Sequence, residues 1–272
     1  MRRCAKDDGA MLPPRIVRAP QLALAMFFLS YLVGGCGGST APATRGADAA
    51  TGLGGFQVLI FSRTAGFRHA SIPTAVAALM SLQVTGGYQA EATEDAGAFT
   101  AANLMRFQVV VFALTSGDVL DDAQQAAFES WVAAGGGTVG IHSASDTEYD
   151  WAFYGDLIGA YFKEHPAIQM ATVRVEATDH PIMAAVPTSW VRSDEWYAFV
   201  TNPRPRVTVL ATVDEATYAG GTMGSDHPII WAHMTVGGAR SFYTALGHTP
   251  ESYAEAPFRQ HLVNGIRWAA GR

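Results

Sequence analysis

The sequence predicts an α/β domain built on a mostly parallel sheet. From Phe56 onward, short apolar segments bounded by glycines alternate with segments of helical periodicity. The chain of 272 residues is 49% hydrophobic and 15% charged, which supplies a large core, and its 28 glycines allow many tight turns. Because alternating strands and helices form parallel βαβ units, we expect a ligand to bind in the loops beyond the carboxyl ends of the strands.

Four strands and two helices are predicted in the first half of the domain. The apolar segments that indicate buried strands lie at residues 56–61, 88–93, 107–114 and 138–142. The helix over 71–82 starts with Ser71 as its N-cap and carries Pro73 in its first turn. A second helix over 121–137 has acids at its start and glycines at its end, so this half has the pattern of successive βαβ units.

The second half of the domain predicts strands with few helices between them. These strands lie at residues 170–177, 206–214, 227–234 and 239–248. The turn sequence at 235–238 indicates that the last two strands form an antiparallel hairpin. A closing helix is predicted over 257–270. No second linker interrupts the pattern, so we expect residues 55–272 to form one domain.

The first 54 residues have the composition of a targeting segment and a tether. An apolar run at 22–33 follows two arginines and ends in Val-Gly-Gly before Cys36, which resembles a bacterial lipobox. We therefore expect residues 1–35 to be a lipoprotein signal peptide, Cys36 to be lipidated and residues 36–54 to be a flexible tether. The protein would then be exported and anchored by its lipid to the cell envelope, in the periplasm or at the outer membrane. A cleaved signal with an incidental cysteine is the alternative, and Met11 is an alternative start.

Charge and cysteine content exclude two classes of function. Without the five basic and two acidic side chains of the first 35 residues, 13 basic and 22 acidic side chains remain, a net charge of −9. Such a domain repels the phosphate backbone, so nucleic acid is not an expected partner, and the membrane is expected to hold the protein only through the lipid anchor. Both cysteines, Cys4 and Cys36, precede the domain, so the domain contains no thiol nucleophile.

Polar loops follow two of the predicted strands. Arg63, Arg68 and His69 lie between the first strand and the N-terminus of a helix, where backbone amides favour anionic or oxygen-rich ligands. His142 and Asp146 follow the fourth strand in the same way. Two structural alternatives stay open, because the arginines could pair with surface acids and His142 could be a core histidine.

Further candidate residues lie in the second half of the domain. His165 precedes a proline outside regular structure, and His248 follows the last strand. Glu195 precedes Trp196 and Tyr197, and acids beside aromatic rings are typical of sugar-binding sites. We expect burial to raise the pKa of Glu195 into a range suited to proton transfer. The alternative is a surface acid beside core aromatic residues.

Four motifs in order resemble the ThuA-like (trehalose utilisation) family. They are Gly66-Phe67-Arg68-His69-x-Ser71, Gly135-Gly136-Gly137-x-Val139-Gly140-Ile141-His142-Ser143-Ala144, Asp194-Glu195-Trp196-Tyr197 and Gly247-His248. The resemblance runs from about Phe56 to Gly271. It implies a class I glutamine amidotransferase-like fold, with a flavodoxin-like sheet and helices on both faces. In those enzymes the nucleophile is the cysteine of Gly-x-Cys-x-Gly, and here His142 stands in its place, so amidotransferase activity is not expected.

The resemblance also implies a link to disaccharide metabolism, notably to 3-keto sugars made by a partner sugar dehydrogenase. A ketone at C3 acidifies the hydrogen on C2, so a base can remove that hydrogen while the substituent on C1 leaves. This rationale is our hypothesis for a lyase or hydrolase that acts on 3-keto glycosides or disaccharides. Such a reaction needs a base, an acid and an electrophile.

Roles within the candidate site stay open at the level of sequence. Glu195 or His142 would be the base, His69 or His248 the acid, and Arg63 or a metal the electrophile. The expected substrate-binding residues are Arg63, Arg68, Asp146, His165, Trp196, Tyr197 and Trp231. A divalent metal is possible, and no other cofactor is indicated; its ligands would be His69, His142, His165 and His248. The alternative function is a non-catalytic carbohydrate-binding lipoprotein, in which the aromatic residues would matter more than the histidines.

Overall fold

The computed structural model describes residues 55–272. The predicted signal peptide, the lipidation site Cys36 and the predicted tether up to residue 54 lie outside the described residues. Within 55–272, no helix combines the length and the apolar character that are needed to cross a bilayer.

The described part of the chain is organised around a nine-stranded sheet. In chain order the strands are β1 (Phe56–Phe61), β2 (Tyr88–Thr93), β3 (Val109–Ala113), β4 (Gly137–Ile141), β5 (Phe162–Glu164), β6 (Gln169–Val175), β7 (Ser189–Asp194), β8 (Ala198–Phe199), β9 (Thr208–Asp214), β10 (Pro228–Met234) and β11 (Arg240–Thr244). The order across the sheet is β2-β1-β3-β4-β11-β10-β9-β6-β7, and β5 and β8 form a separate antiparallel pair.

The sheet has a parallel and an antiparallel part that meet at β11. The strands from β2 to β11 in the sheet order are parallel, whereas β11 is antiparallel to β10 and the strands beyond it also alternate in direction. The predicted α/β fold with a C-terminal antiparallel hairpin is confirmed. The antiparallel part is larger than the predicted hairpin, because β6, β7 and β9 continue it.

Six α-helices accompany the sheet in residues 55–272. They are α1 (Ile72–Ser81), α2 (Gln83–Gly86), α3 (Ala101–Leu104), α4 (Asp122–Ala133), α5 (Ala152–Ile158) and α6 (Ala256–Ala269). α4 begins with a capping box, in which the side chains of Asp121 and Gln124 accept each other's backbone N–H. It ends earlier than predicted, because Gly135 takes a φ of 93° and Gly137 already begins β4.

Short 3₁₀ helices complete the connections. They are Ala96–Ala98, His142–Asp146, Pro181–Met183, Glu215–Thr217 and Pro250–Ala254. The predicted capping role of Ser71 is wrong in one respect: this residue precedes α1, but its hydroxyl makes no capping hydrogen bond. Ser71 has helical rather than extended backbone angles, since the Ile72 N–H already bonds to the His69 carbonyl in a tight turn. That turn ties the start of α1 to the loop that contains His69.

Helices cover both faces of the sheet, as predicted. On β11, a side chain added at Gly265 of α6 would meet the ring of Phe242. The preceding residue, Ser241, donates its hydroxyl hydrogen to the Leu157 carbonyl of α5. Since successive residues of a strand point to opposite faces, α5 and α6 lie on opposite sides of β11.

Candidate active site

Four segments of the domain bring three histidines and a glutamate together. His69 lies between β1 and α1, and His142 follows β4 directly. Glu195 follows β7, and His248 comes shortly after β11. The three imidazole rings form a nearly equilateral triangle, with centroids 4.8 Å apart for His69 and His142 and 5.0 Å apart for each of the other two pairs. Residues that the sequence analysis selected in separate loops therefore converge.

His142 occupies a strained turn at the end of β4. Its φ of 52° lies in the left-handed region that residues other than glycine rarely adopt, and its side chain is fully buried. Nδ1 lies 2.7 Å from the carbonyl oxygen of Ala245, which can only accept, so Nδ1 carries the hydrogen. Nε2 therefore faces His248 Nδ1, 3.0 Å away, and Glu195 Oε2, 3.4 Å away. It presents a lone pair to them when the ring is neutral and donates a hydrogen when the ring is protonated.

The carboxylate of Glu195 connects two parts of the site. Oε2 lies 2.9 Å from His248 Nδ1, and Oε1 lies 3.1 Å from His165 Nδ1. Burial acts to raise the pKa of Glu195, but the hydrogen bonds and charges of His142 and His248 outweigh it and hold the pKa well below its usual range. The expectation of a raised pKa is wrong, because it considered burial without the imidazoles that stabilise the ionised form.

His69 is buried beside the other two rings. Its Nδ1 lies 3.3 Å from the hydroxyl oxygen of Ser143. Burial, followed by the charges of His142 and His248, lowers the pKa of His69 to about 3. The ring is therefore neutral at neutral pH, which is the form that binds a metal ion.

The four side chains fit a divalent metal ion. Each offers one nitrogen or oxygen atom, and these atoms all lie within 4.8 Å of one another. With metal–ligand bonds of about 2.0–2.1 Å, the ligand atoms of a tetrahedral site are roughly 3.3 Å apart. The facing atoms of His142, His248 and Glu195 are separated by 2.9 to 3.4 Å. Because lone pairs and a carboxylate face one another here, a cation or a proton between them would relieve their repulsion, and imidazole with carboxylate suits zinc and related first-row ions.

His165 stands beside this cluster rather than in it, which corrects the predicted set of metal ligands. Its side chain is half-exposed, and its Nδ1 faces two acceptors, Glu195 Oε1 at 3.1 Å and the Pro166 carbonyl at 2.9 Å. The hydrogen of the neutral ring must therefore be on Nδ1, which leaves Nε2 unprotonated. Glu195 takes the place in the cluster that the sequence analysis gave to His165.

Asp194 organises the segments that carry two of the clustered residues. Its fully buried carboxylate accepts the backbone hydrogens of Glu195, Gly247 and His248. Arg192, which is also buried, pairs with it at 3.0 Å. Gly247 has a φ of 112°, which glycine adopts without strain. The sequence analysis noted Asp194 only as part of a motif, because the role of a buried carboxylate depends on its partners.

A cavity of about 310 Å³ opens onto the cluster. Its lining residues are Phe67, His69, Asp146, Phe162, His165, Glu195, Tyr197 and His248. Phe67 and Phe162 were not predicted, although each lies close in sequence to a histidine that was. A larger groove of about 450 Å³ runs past the turn between β10 and β11 and contains none of the predicted site residues.

Four predicted substrate-binding residues lie outside this cavity. Trp196 and Trp231 are 1% and 0% exposed, and their indole N–H groups bond to the carbonyls of Gln169 and Ile158. Neither ring has a free face on which a sugar could stack, so this part of the prediction is corrected. Arg63 is exposed and does not line the cavity. Arg68 pairs with Glu94 at 2.7 Å on the surface, which is the structural alternative given for it above.

The fold and the turn at His142 together define the class of the protein. A parallel half-sheet covered by helices, with a strained non-glycine residue directly after a central strand, agrees with the glutamine amidotransferase-like fold that the resemblance implies. The chain belongs to the ThuA family, described as trehalose utilisation, whose sequence pattern matches residues 57–269.

Two solved structures resemble the domain. A ThuA-like protein from Bacteroides uniformis is 24% identical, with a TM-score of 0.68 over 82% of this chain and 95% of that one. A second ThuA-like protein, from Parabacteroides merdae, is 18% identical, with a TM-score of 0.67 over 79% of this chain and 90% of that one. At these identities the likeness shows the shared fold. No curated protein matches the chain.

Proposed function

We propose that the protein is a metal-dependent enzyme that cleaves the glycosidic bond of a 3-keto glycoside or disaccharide. The observation that carries this proposal is the convergence of His69, His142, Glu195 and His248 beside a cavity of about 310 Å³, which all of them except the fully buried His142 line. This volume is at the lower end of the range for small-molecule sites and suits a single sugar ring. Membership of the ThuA family supports a carbohydrate as the substrate.

The geometry limits which groups can serve as the electrophile and the base, two roles that the sequence left open. Because Arg63 lies outside the cavity, the electrophile of this proposal is a divalent ion held by the cluster, where it would polarise the oxygen of the C3 ketone. Glu195 Oε2 and His142 Nε2 point at each other within the cluster, so an ion held there would occupy both atoms and neither could act as a base on the substrate. His165 lines the cavity, and Glu195 Oε1 orients its ring so that the neutral tautomer has its lone pair on Nε2. We therefore assign His165 as the base that removes the hydrogen on C2.

The non-catalytic alternative has less support from the geometry. A sugar-binding module needs accessible aromatic faces, and all three rings expected in this role, Trp196, Tyr197 and Trp231, are buried, although Tyr197 lines the cavity. Phe67, which is 66% exposed at the cavity, is the accessible ring. Binding of a 3-keto glycoside without turnover would favour this alternative.

Metal analysis and turnover test the proposal together. We expect the purified domain to contain about one first-row divalent ion per chain and to release free sugar from a 3-keto glycoside such as 3-ketotrehalose. His142→Ala should remove both the ion and the turnover. Arg106→Ala is the matched control, since Arg106 forms an exposed ion pair with Glu91 and neither residue lines the cavity, and it should keep both. Turnover that persists in metal-free protein would contradict the proposal.

We also propose that the protein is an exported lipoprotein. The lipobox-like sequence before Cys36 and the Gly/Ala-rich stretch that follows it support this proposal. Incorporation of labelled palmitate in the native host, and its loss in Cys36→Ser, would test it. A dehydrogenase that oxidises the C3 hydroxyl would supply the substrate and is the expected partner in the reaction sequence.

A further inference from the structure

Asp146 lines the cavity and has no role in the proposal so far. It ends the 3₁₀ turn that begins with His142, and it is half-buried. Its Oδ1 lies 2.8 Å from the hydroxyl oxygen of Tyr149. The same hydroxyl oxygen lies 2.7 Å from the carbonyl oxygen of Phe162.

These two distances determine where a proton must lie. The hydroxyl of Tyr149 has one hydrogen, and the carbonyl of Phe162 can only accept. If that hydrogen goes to Phe162, an ionised Asp146 would face the oxygen lone pairs of Tyr149 at hydrogen-bond distance without a hydrogen between them. A protonated Asp146 that donates to Tyr149 satisfies both contacts. The hydrogen-bond geometry therefore favours a neutral carboxyl group in the cavity wall.

The surroundings of Asp146 agree with this proton count. Burial has the largest effect on the pKa of Asp146 and raises it above its ordinary value. None of the ion pairs in residues 55–272 includes Asp146. Among these residues, no cationic side chain in direct contact therefore stabilises the ionised form of Asp146.

We propose that Asp146 is the general acid that protonates the leaving oxygen of the glycosidic bond. This inference rests on the proposed function. His165 Nε2 takes the proton from C2 and the electron pair of that bond forms a double bond between C1 and C2. The bond between C1 and the glycosidic oxygen breaks, and that oxygen takes its electron pair and the proton of Asp146. The resulting carboxylate then accepts the hydroxyl hydrogen of Tyr149. One proton enters the protein and one leaves, so no oxidant, reductant or co-reactant is needed.

Leaving-group dependence provides the test. With holoenzyme, we expect Asp146→Asn to lower the rate about 10²- to 10⁴-fold on a 3-keto disaccharide, whose sugar leaving group needs a proton. On the 4-nitrophenyl 3-keto glycoside, whose leaving group is stable as an anion, the same variant should lose less than about tenfold. Asp150→Asn makes the same chemical change at an exposed position nearby and should leave both rates unchanged. Equal losses on both substrates would overturn the assignment.

An infrared measurement tests the proton without any substrate. The difference spectrum between wild type and Asp146→Asn at pH 7 should contain the carbonyl stretch of a protonated carboxylic acid. A carboxylate band in its place would overturn the inference. If the wild type cleaves neither substrate, the proposed function fails, and the infrared result still decides whether Asp146 holds a proton.

Discussion

Asp194 is the residue on which the position of two candidate ligands depends. It holds the backbone of Glu195 and His248 through a carboxylate that is itself completely buried. Its partner Arg192 is 1% exposed in its side chain, so neither charge can turn to solvent if the other is removed. A lone charge in such surroundings is strongly unfavourable.

Asp194→Asn should lower the free energy of unfolding by about 3–5 kcal/mol, because Arg192 would lose its buried counter-charge and keep only the partly exposed Glu255, 3.4 Å away. Urea denaturation followed by circular dichroism measures this change. The matched control is Asp156→Asn, whose carboxylate pairs with Arg206 but is 79% exposed, and there we expect a change below about 1 kcal/mol. Similar losses in the two variants would show that burial of the pair is not the cause.

Glu195→Gln keeps the shape of the side chain and removes its charge. If Glu195 is a ligand, metal affinity should fall by at least about 10- to 100-fold, the range found when even an outer partner of a ligand is lost. Competition with a chromophoric chelator measures the affinity. Glu164→Gln, at an exposed acid that pairs with Lys163, is the control and should bind as the wild type does. Wild-type affinity in Glu195→Gln would exclude this carboxylate as a ligand.

The site residues that could be predicted from the sequence are those that come shortly after the end of a predicted strand. His69, His142 and His248 were selected because they follow predicted strands, and they do meet. The indoles of Trp196 and Trp231 were assigned to a sugar because of their type. Residue type does not indicate which side of a strand or loop faces the core, and both rings face inward.

Among the elements, α6 depends on a close approach to the sheet. Gly265 faces the ring of Phe242 on β11, and a Cβ at this position would overlap that ring. The helix also buries Phe258, Leu262 and Ile266, whose spacing in the sequence is helical. The glycine is therefore required by packing, although it weakens the helix itself.

Gly265→Ala should destabilise the domain by about 1–3 kcal/mol, because overpacking against Phe242 outweighs the helix preference of alanine, which is about 1 kcal/mol. Thermal and urea unfolding measure the net effect. Adding Phe242→Leu should recover part of the loss, so that the two changes are not additive. A stabilised Gly265→Ala protein would mean that the ring moves aside at no cost.

The strands whose residues are mostly apolar were predicted, and strands that mix polar and apolar residues were missed. β3 and β4 are buried along their whole length and read as apolar runs. β7 alternates exposed and buried residues over only six positions, with serine, arginine and aspartate among them. Its strand character comes from pairing with β6, a contact that its own residues do not specify.

For the whole molecule, buried histidines couple stability to pH. Burial lowers the pKa of His261 to about 3, from an ordinary value of 6.5 in the unfolded chain. The unfolded state therefore binds more protons than the folded state below about pH 6.5. Stability from this group is complete above that pH and falls by about 1.4 kcal/mol per unit as the pH drops towards 3.

His261→Leu should make stability less sensitive to acid. Between pH 7 and pH 5 the wild type should lose about 2 kcal/mol through His261, and the variant should lack this contribution. Urea unfolding of both proteins at the two pH values gives the comparison. An equal pH dependence in wild type and variant would exclude His261 as a source of acid sensitivity.

The composition and alternation of the chain were sufficient for the α/β class but not for the order of the strands. β11 lies between β4 and β10, and β9 lies between β10 and β6. Such an order depends on contacts between residues about a hundred positions apart, for example Thr138 and Ser241. Local patterns carry no information about these pairings.

The position of β11 also affects how the protein is made. β11 is the last strand within residues 55–272 and is inserted into the middle of the sheet, so β4 presents an open edge in a nascent chain until β11 has emerged. Closing such a distant pair is slow compared with forming local hairpins. His248 follows β11 and completes the triangle of imidazoles, so the full set of candidate ligands forms only once β11 has paired with β4. The compartment in which folding finishes therefore decides which ion is available to be bound.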